Sequence, residues 1–164
     1  MNKKDTVVFD LDGTLLDTLE DLKNSVNYAM TQCGYPEHTL DEVRRYVGNG
    51  ILLLMQRAIP GGKDDPNFDK AFTLFKEHYG KHCNDTTKPY AGIMELLHTL
   101  KENNIKIAIV SNKADFAVKE LNAIYFKDLI PVAIGEKESE GIRKKPAPDT
   151  VIEALKQLGS TAEN

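Results

Sequence analysis

Hydrophobic positions change period several times along the chain. Thr6-Val7-Val8-Phe9 is a short apolar, β-branched run that breaks into Asp10-Leu11-Asp12-Gly13-Thr14, which predicts a buried strand ending in a polar loop. From Thr18 the spacing turns helical: Leu19, Leu22, Val26, Ala29, Met30 and Cys33 share one stripe, and Gly34 and Pro36 end it. Thr18-Leu19-Glu20-Asp21 resembles a capping box with Asp in place of Glu, and Thr39-Leu40-Asp41-Glu42 is a better one, opening a short helix to about Val47. Gly48-Asn49-Gly50 breaks that helix, and Ile51 to Ile59 forms another, stopped by Pro60-Gly61-Gly62. A fourth runs from about Pro66 to Cys83 with Phe68, Ala71, Phe72, Phe75 and Tyr79 on one stripe.

After Lys88-Pro89-Tyr90 helix and strand alternate. Ile93, Leu96, Leu97 and Leu100 mark a helix, Ile105 to Ser111 a strand, and Phe116, Val118, Leu121 and Ile124 a second helix. A strand at about Pro131 to Ile134, a polar loop to Lys145 and a helix from Pro148 to Gly159 complete the pattern. The reading is an α/β fold with a parallel sheet built by residues 1–16 and 88–164, interrupted by an all-helical insert over residues 17–87. Open sheets of this kind place their ligand crevice at the carboxyl ends of the strands, where Asp10 and Ser111 both fall.

Composition narrows the function classes. Hydrophobic residues make up 41% of the chain and charged residues 28%, as in an ordinary globular protein. With 21 Lys+Arg against 25 Asp+Glu the net charge is -4, so no large basic field exists to attract nucleic acid or an anionic membrane surface, and neither is expected as a partner. No apolar run approaches the ~20 residues of a membrane helix. Met1-Asn2-Lys3-Lys4-Asp5 leads directly into the first strand, which argues against a signal peptide, and the expected location is cytoplasmic. Cys33 and Cys83 lack the spacing of a disulfide framework or a zinc site and read as reduced thiols.

Two carboxylates at i and i+2 beyond a strand end suit a site where one acid is a nucleophile or metal ligand and the other handles protons. The spacing alone fits a turn or cap equally well. Context favours chemistry: an apolar strand precedes Asp10, Gly13 lets the backbone fold back toward a ligand, and the Thr14 hydroxyl follows.

Val7-Val8-Phe9-Asp10-Leu11-Asp12-Gly13-Thr14-Leu15-Leu16-Asp17-Thr18 resembles the first motif of the haloacid dehalogenase superfamily. Ile109-Val110-Ser111-Asn112-Lys113 resembles the second, and Lys144-Lys145-Pro146-Ala147-Pro148-Asp149 the third. Arg45-Tyr46-Val47-Gly48-Asn49-Gly50 is similar to the substrate-facing cap loop of phosphoglycolate phosphatases, and Pro89-Tyr90-Ala91-Gly92 to the segment by which such chains re-enter the core. The resemblance implies a Rossmann-like core with an inserted α-helical cap, and a magnesium-dependent phosphatase acting on a small phosphorylated metabolite. It implies Asp10 as nucleophile, Asp12 as general acid and base, and both as metal ligands, Asp12 through its backbone carbonyl. Ser111, Asn112 and Lys145 would bind phosphate, and Arg45, Gly48, Asn49 and Gly50 would meet the substrate from the cap. A related pyrophosphatase or phosphomutase, or a module that binds a phosphometabolite without turnover, would keep the same core residues.

The family's fourth motif, with further magnesium ligands, has no counterpart after Gly159, and Glu163 does not substitute for it. The expectation is a fragment of a longer phosphatase, weak or inactive alone, with Thr6 to Phe9 on an open sheet edge. Elsewhere the plainer readings stand. His78 and His82 at i, i+4 beside Cys83 belong to an amphipathic helix, Arg44 and Arg45 equally suit an ion-paired helix end with Asp41 and Glu42, and Asp17 and Thr18 serve capping and the hinge.

Overall fold

The computed structural model describes residues 4–162, so the expectations for Met1–Lys3 and Glu163 lie outside the described residues. In chain order the elements are β1 (Thr6–Phe9), β2 (Leu16–Asp17), α1 (Leu19–Gln32), α2 (Leu40–Tyr46), α3 (Ile51–Ala58), α4 (Phe68–His82), β3 (Lys88–Pro89), α5 (Ile93–Glu102), β4 (Lys106–Ala114), α6 (Asp115–Tyr125), β5 (Val132–Glu136) and α7 (Asp149–Gln157). Short 3₁₀ turns lie at Gly62–Asp64 and Glu138–Glu140. The chain divides into two compact units, residues 1–16 with 89–164, and residues 17–88. The two crossings between them, β2 and β3, pair with each other.

In the first unit the sheet order is β1-β4-β5, and both pairings are parallel. β4 is the central strand and is buried on both faces, which is why it reads as a nearly continuous apolar run. Its alternation sorts two cores: Ile107 and Ile109 join Leu97 of α5 and Val118 and Leu121 of α6, while Ala108 and Val110 join Val132, Ile134 and Ala154 of α7. β1 is an outer strand of this sheet among the described residues. The fold is α/β with helices flanking a parallel sheet.

The second unit holds four helices around one core, with Val26, Ala29 and Met30 of α1, Leu54 and Met55 of α3, and Ala71 and Phe75 of α4 at its centre. Thr39 and Glu42 form the capping box read from the sequence: Thr39 Oγ1 accepts from the Glu42 N–H, and Glu42 Oε2 accepts from the Thr39 N–H at 2.7 Å. The Thr18 box is a correction: Thr18 makes no side-chain cap bond. The Asp21 carboxylate is engaged elsewhere, accepting from the backbone N–H and hydroxyl of both Thr86 and Thr87. Three further differences lie in element limits. β4 continues beyond Ser111 to Ala114 through an irregular register, α4 begins at Phe68 after a 3₁₀ turn, and β5 extends to Glu136.

Candidate active site

The loop leaving β1 is built to present acids. Leu11, Leu15 and Leu16 are fully buried, and the Leu11 carbonyl accepts from the N–H groups of Leu15 and Leu16, each at 3.0 Å. Gly13 donates to the Leu16 carbonyl at 2.9 Å with φ of +77°; no atom would obstruct a side chain there, so the positive φ is what favours glycine. Three buried leucines therefore anchor the loop while Asp10, whose side chain is 44% exposed, faces outward. Asp10 Oδ1 accepts from the Leu11 N–H at 2.8 Å.

Two lysines complete the cluster. Lys145 Nζ lies 2.8 Å from Asp10 Oδ1 and donates to the Val110 carbonyl at 2.9 Å. Its neighbours turn elsewhere: Arg143 pairs with Asp149 and Lys144 with Glu138. The basic triplet is thus divided, with Lys145 alone on the acid loop. Lys113 is buried, and its Nζ donates to Asp12 Oδ1 at 2.9 Å. Ser111, also buried at the end of the apolar stretch of β4, accepts on Oγ from the Lys113 N–H at 3.2 Å.

Asn112 serves its neighbour's backbone. Its Oδ1 accepts from the Lys145 N–H at 2.9 Å, and its Nδ2 donates to the Lys145 carbonyl at 3.1 Å. This reciprocal pair fixes the third-motif loop against β4, a use of Asn112 distinct from the phosphate contact expected of it.

The described part of the chain matches known proteins along nearly its whole length. The sequence profile of haloacid dehalogenase-like hydrolases matches residues 7–164. The chain belongs to that family. It is 32% identical over 158 residues to a phosphoglycolate phosphatase of Thiobacillus denitrificans, covering 93% of this chain and 69% of the relative. Another, from Aquifex aeolicus, is 32% identical over 161 residues, covering 96% and 71%. Among solved structures, a predicted phosphoglycolate phosphatase from Haemophilus somnus superposes with a TM-score of 0.85 at 27% identity, covering 98% of this chain and 74% of that one. CbbY from Rhodobacter sphaeroides, solved with phosphate, shares the fold at a TM-score of 0.72 and 20% identity, covering 98% and 75%.

Asp10, Asp12, Ser111, Asn112 and Lys145 all lie in the first unit, around the carboxyl ends of β1 and β4. Arg45, Gly48, Asn49 and Gly50 lie in the second, at the end of α2 and in the turn before α3. Gly48 and Gly50 have φ of +108° and +90°. Arg57 steadies this turn, donating from Nη1 to the Tyr46 carbonyl at 2.7 Å and from Nη2 to Asn49 Oδ1 at 3.0 Å. Arg44 pairs with Asp41, and Arg45 is exposed. His78 and His82 stack, with His78 Nδ1 2.9 Å from Ser25 Oγ, and His82 pairs with Asp85. Among the described residues, no group of three or more His, Cys, Asp or Glu side chains is placed to hold a metal, and no helix is long and apolar enough to cross a membrane.

Lys113 was visible to sequence reading only as the last residue of the second motif. Its partner lies 101 positions away, so no local spacing marks the contact. Arg57 likewise sits inside an ordinary helical stripe and carries no motif signal of its own.

Proposed function

We propose that the chain is a magnesium-dependent phosphomonoesterase that acts on a small phosphorylated metabolite, of phosphoglycolate phosphatase type, through an aspartyl-phosphate. As a family member with relatives so named, it is a phosphatase of the haloacid dehalogenase type. The observation carrying the finer reading is the Asp10–Lys145 pair: a half-exposed carboxylate with an ammonium 2.8 Å from Oδ1, at the end of β1, which pairs with the strand that carries Ser111.

In this mechanism the Asp10 carboxylate attacks phosphorus, and the Asp10 O–P bond forms as the bond to the leaving oxygen breaks. Protonated Asp12 gives its proton to that oxygen, which departs as an alcohol. Asp12 then takes a proton from water, the water oxygen attacks phosphorus, and the Asp10 O–P bond breaks to release inorganic phosphate. Lys145 and Ser111 hold phosphoryl oxygens, with Asn112 keeping the Lys145 loop in place. The cap loop, with Arg45, Gly48, Asn49 and Gly50, selects the leaving group.

The donor set at the strand end is all oxygen, which suits magnesium: this ion is commonly held by one or two carboxylates, with water and substrate phosphate filling its shell. The Asp10 carboxylate and the Asp12 backbone carbonyl would hold it, and when bound it would offset the repulsion between carboxylate and phosphate.

Turnover of 4-nitrophenyl phosphate and 2-phosphoglycolate, with magnesium and after chelation, tests the proposal. Chelation should abolish turnover and magnesium restore it. Asp10→Asn should lower it by at least ~10³-fold with unchanged circular dichroism, because the replacement is isosteric and the loss chemical. Near wild-type turnover in Asp10→Asn would remove Asp10 as nucleophile, and phosphate binding without turnover in any condition would make the chain a binding module.

A further inference from the structure

The Lys113 side chain is only 5% exposed. A buried ammonium is costly unless paired, and even a buried pair is weak support for stability, so such a pair invites a functional explanation. Backbone and side-chain contacts fix this residue. Its backbone N–H donates to Ser111 Oγ, its carbonyl is approached so closely by Gly135 that a Cβ there would lie 2.6 Å away, and its Nζ donates to Asp12 Oδ1 at 2.9 Å. Lys145, by contrast, addresses the other acid, Asp10.

We propose that Lys113 is a positioning residue for proton transfer by Asp12, an inference that rests on the phosphatase reading given above. A carboxylic acid delivers its proton well only when the correct oxygen points at the acceptor. With Lys113 donating to Oδ1, the Asp12 carboxyl is held in one orientation, and Oδ2 is the oxygen that gives and takes the proton. When the phosphorus–oxygen bond breaks, that proton passes to the departing oxygen and the Asp12 carboxylate remains bonded to Lys113. Lys113 thereby divides the labour of the two lysines: one serves the nucleophile and phosphate, the other orients the acid.

The discriminating readout is the leaving group. Phenoxide departs poorly without a proton, whereas 4-nitrophenoxide needs little help. In Lys113→Met, kcat/KM, which reports the steps up to alcohol release and not the later attack by water, should fall by about 10²-fold for phenyl phosphate, a general-acid-sized loss, and by only a few-fold for 4-nitrophenyl phosphate. Asp12→Asn should show the same inequality, and Lys113→Arg should recover part of the phenyl phosphate rate. Equal losses of kcat/KM on the two esters, or a rise in KM with kcat intact, would overturn the proposal in favour of a structural or phosphate-binding role.

A second measurement does not need turnover. The urea midpoints of Lys113→Met, Asp12→Asn and the double variant report whether the side chains interact: the double variant should lose clearly less than the two single losses added together. Additive losses would overturn the proposal. If the wild-type chain hydrolyses neither ester, the phosphatase reading fails, and the midpoints still decide whether Lys113 holds Asp12.

Discussion

Adjacent arginines show how one residue's contacts separate structural from functional candidates. Arg44 is committed to Asp41, one helical turn back, whereas Arg45 is exposed and influences Glu42 through its charge without a direct bond. Removing Arg45 should therefore cost little stability. If the cap loop selects the leaving group, Arg45→Ala raises KM for 2-phosphoglycolate, whose leaving group is acidic, much more than for 4-nitrophenyl phosphate. Equal changes with the two substrates would take Arg45 out of the specificity loop. The glycines of this loop act through the backbone: at φ of +108° and +90°, Gly48 and Gly50 adopt angles that side chains disfavour, and Arg57 ties the turn to α3.

At the scale of elements, the start of α1 is tied to the segment after α4 by Asp21. This residue is 1% exposed. Burial pushes its carboxyl up, but hydrogen bonds from the hydroxyls and N–H groups of Thr86 and Thr87 outweigh that effect and hold it below the ordinary carboxylate value. The sign for stability follows. As pH falls, the unfolded chain takes up the proton first, so the Asp21 contribution is complete above about pH 4 and drains away as pH drops through the lower folded value. Asp21→Asn, which turns an acceptor toward donors it cannot fully satisfy, should cost on the order of 1–3 kcal/mol at pH 7. In urea titrations, the gap between variant and wild type should shrink below pH 4; a gap of constant size would show that the carboxylate charge is not what Thr86 and Thr87 stabilise.

On the scale of the molecule, the hydrophobic residues form separate clusters, one within residues 17–88 and two on the faces of the sheet. Phe75 is fully buried in the first of these, and Phe126 is 1% exposed in the core on one face of the sheet. Phe75→Ala should cost about 3–5 kcal/mol locally. Hydrogen exchange should then quicken in α1 and α4 while the amides of Ile107 to Val110 keep their protection. Equal loss of protection in β4 would mean that the two units unfold as one.

Short-range features were legible along the chain. Helical stripes, the Thr39 box, the apolar run of β4 and the contiguous acid loop after β1 are short-range patterns, and each imposes its periodicity or turn chemistry wherever it folds. Three motifs in order were enough for the α/β fold and family. Contacts between distant segments emerged with the folded chain. It set Lys113 against Asp12 across 101 positions and drew Asp21 away from a cap at Thr18 to threonines 65 and 66 positions on. It also directed Lys145, rather than Arg143 or Lys144, to Asp10. Which polar groups meet across such distances depends on strand register and chain crossings, and a buried charge takes the partner that this geometry brings within hydrogen-bond reach.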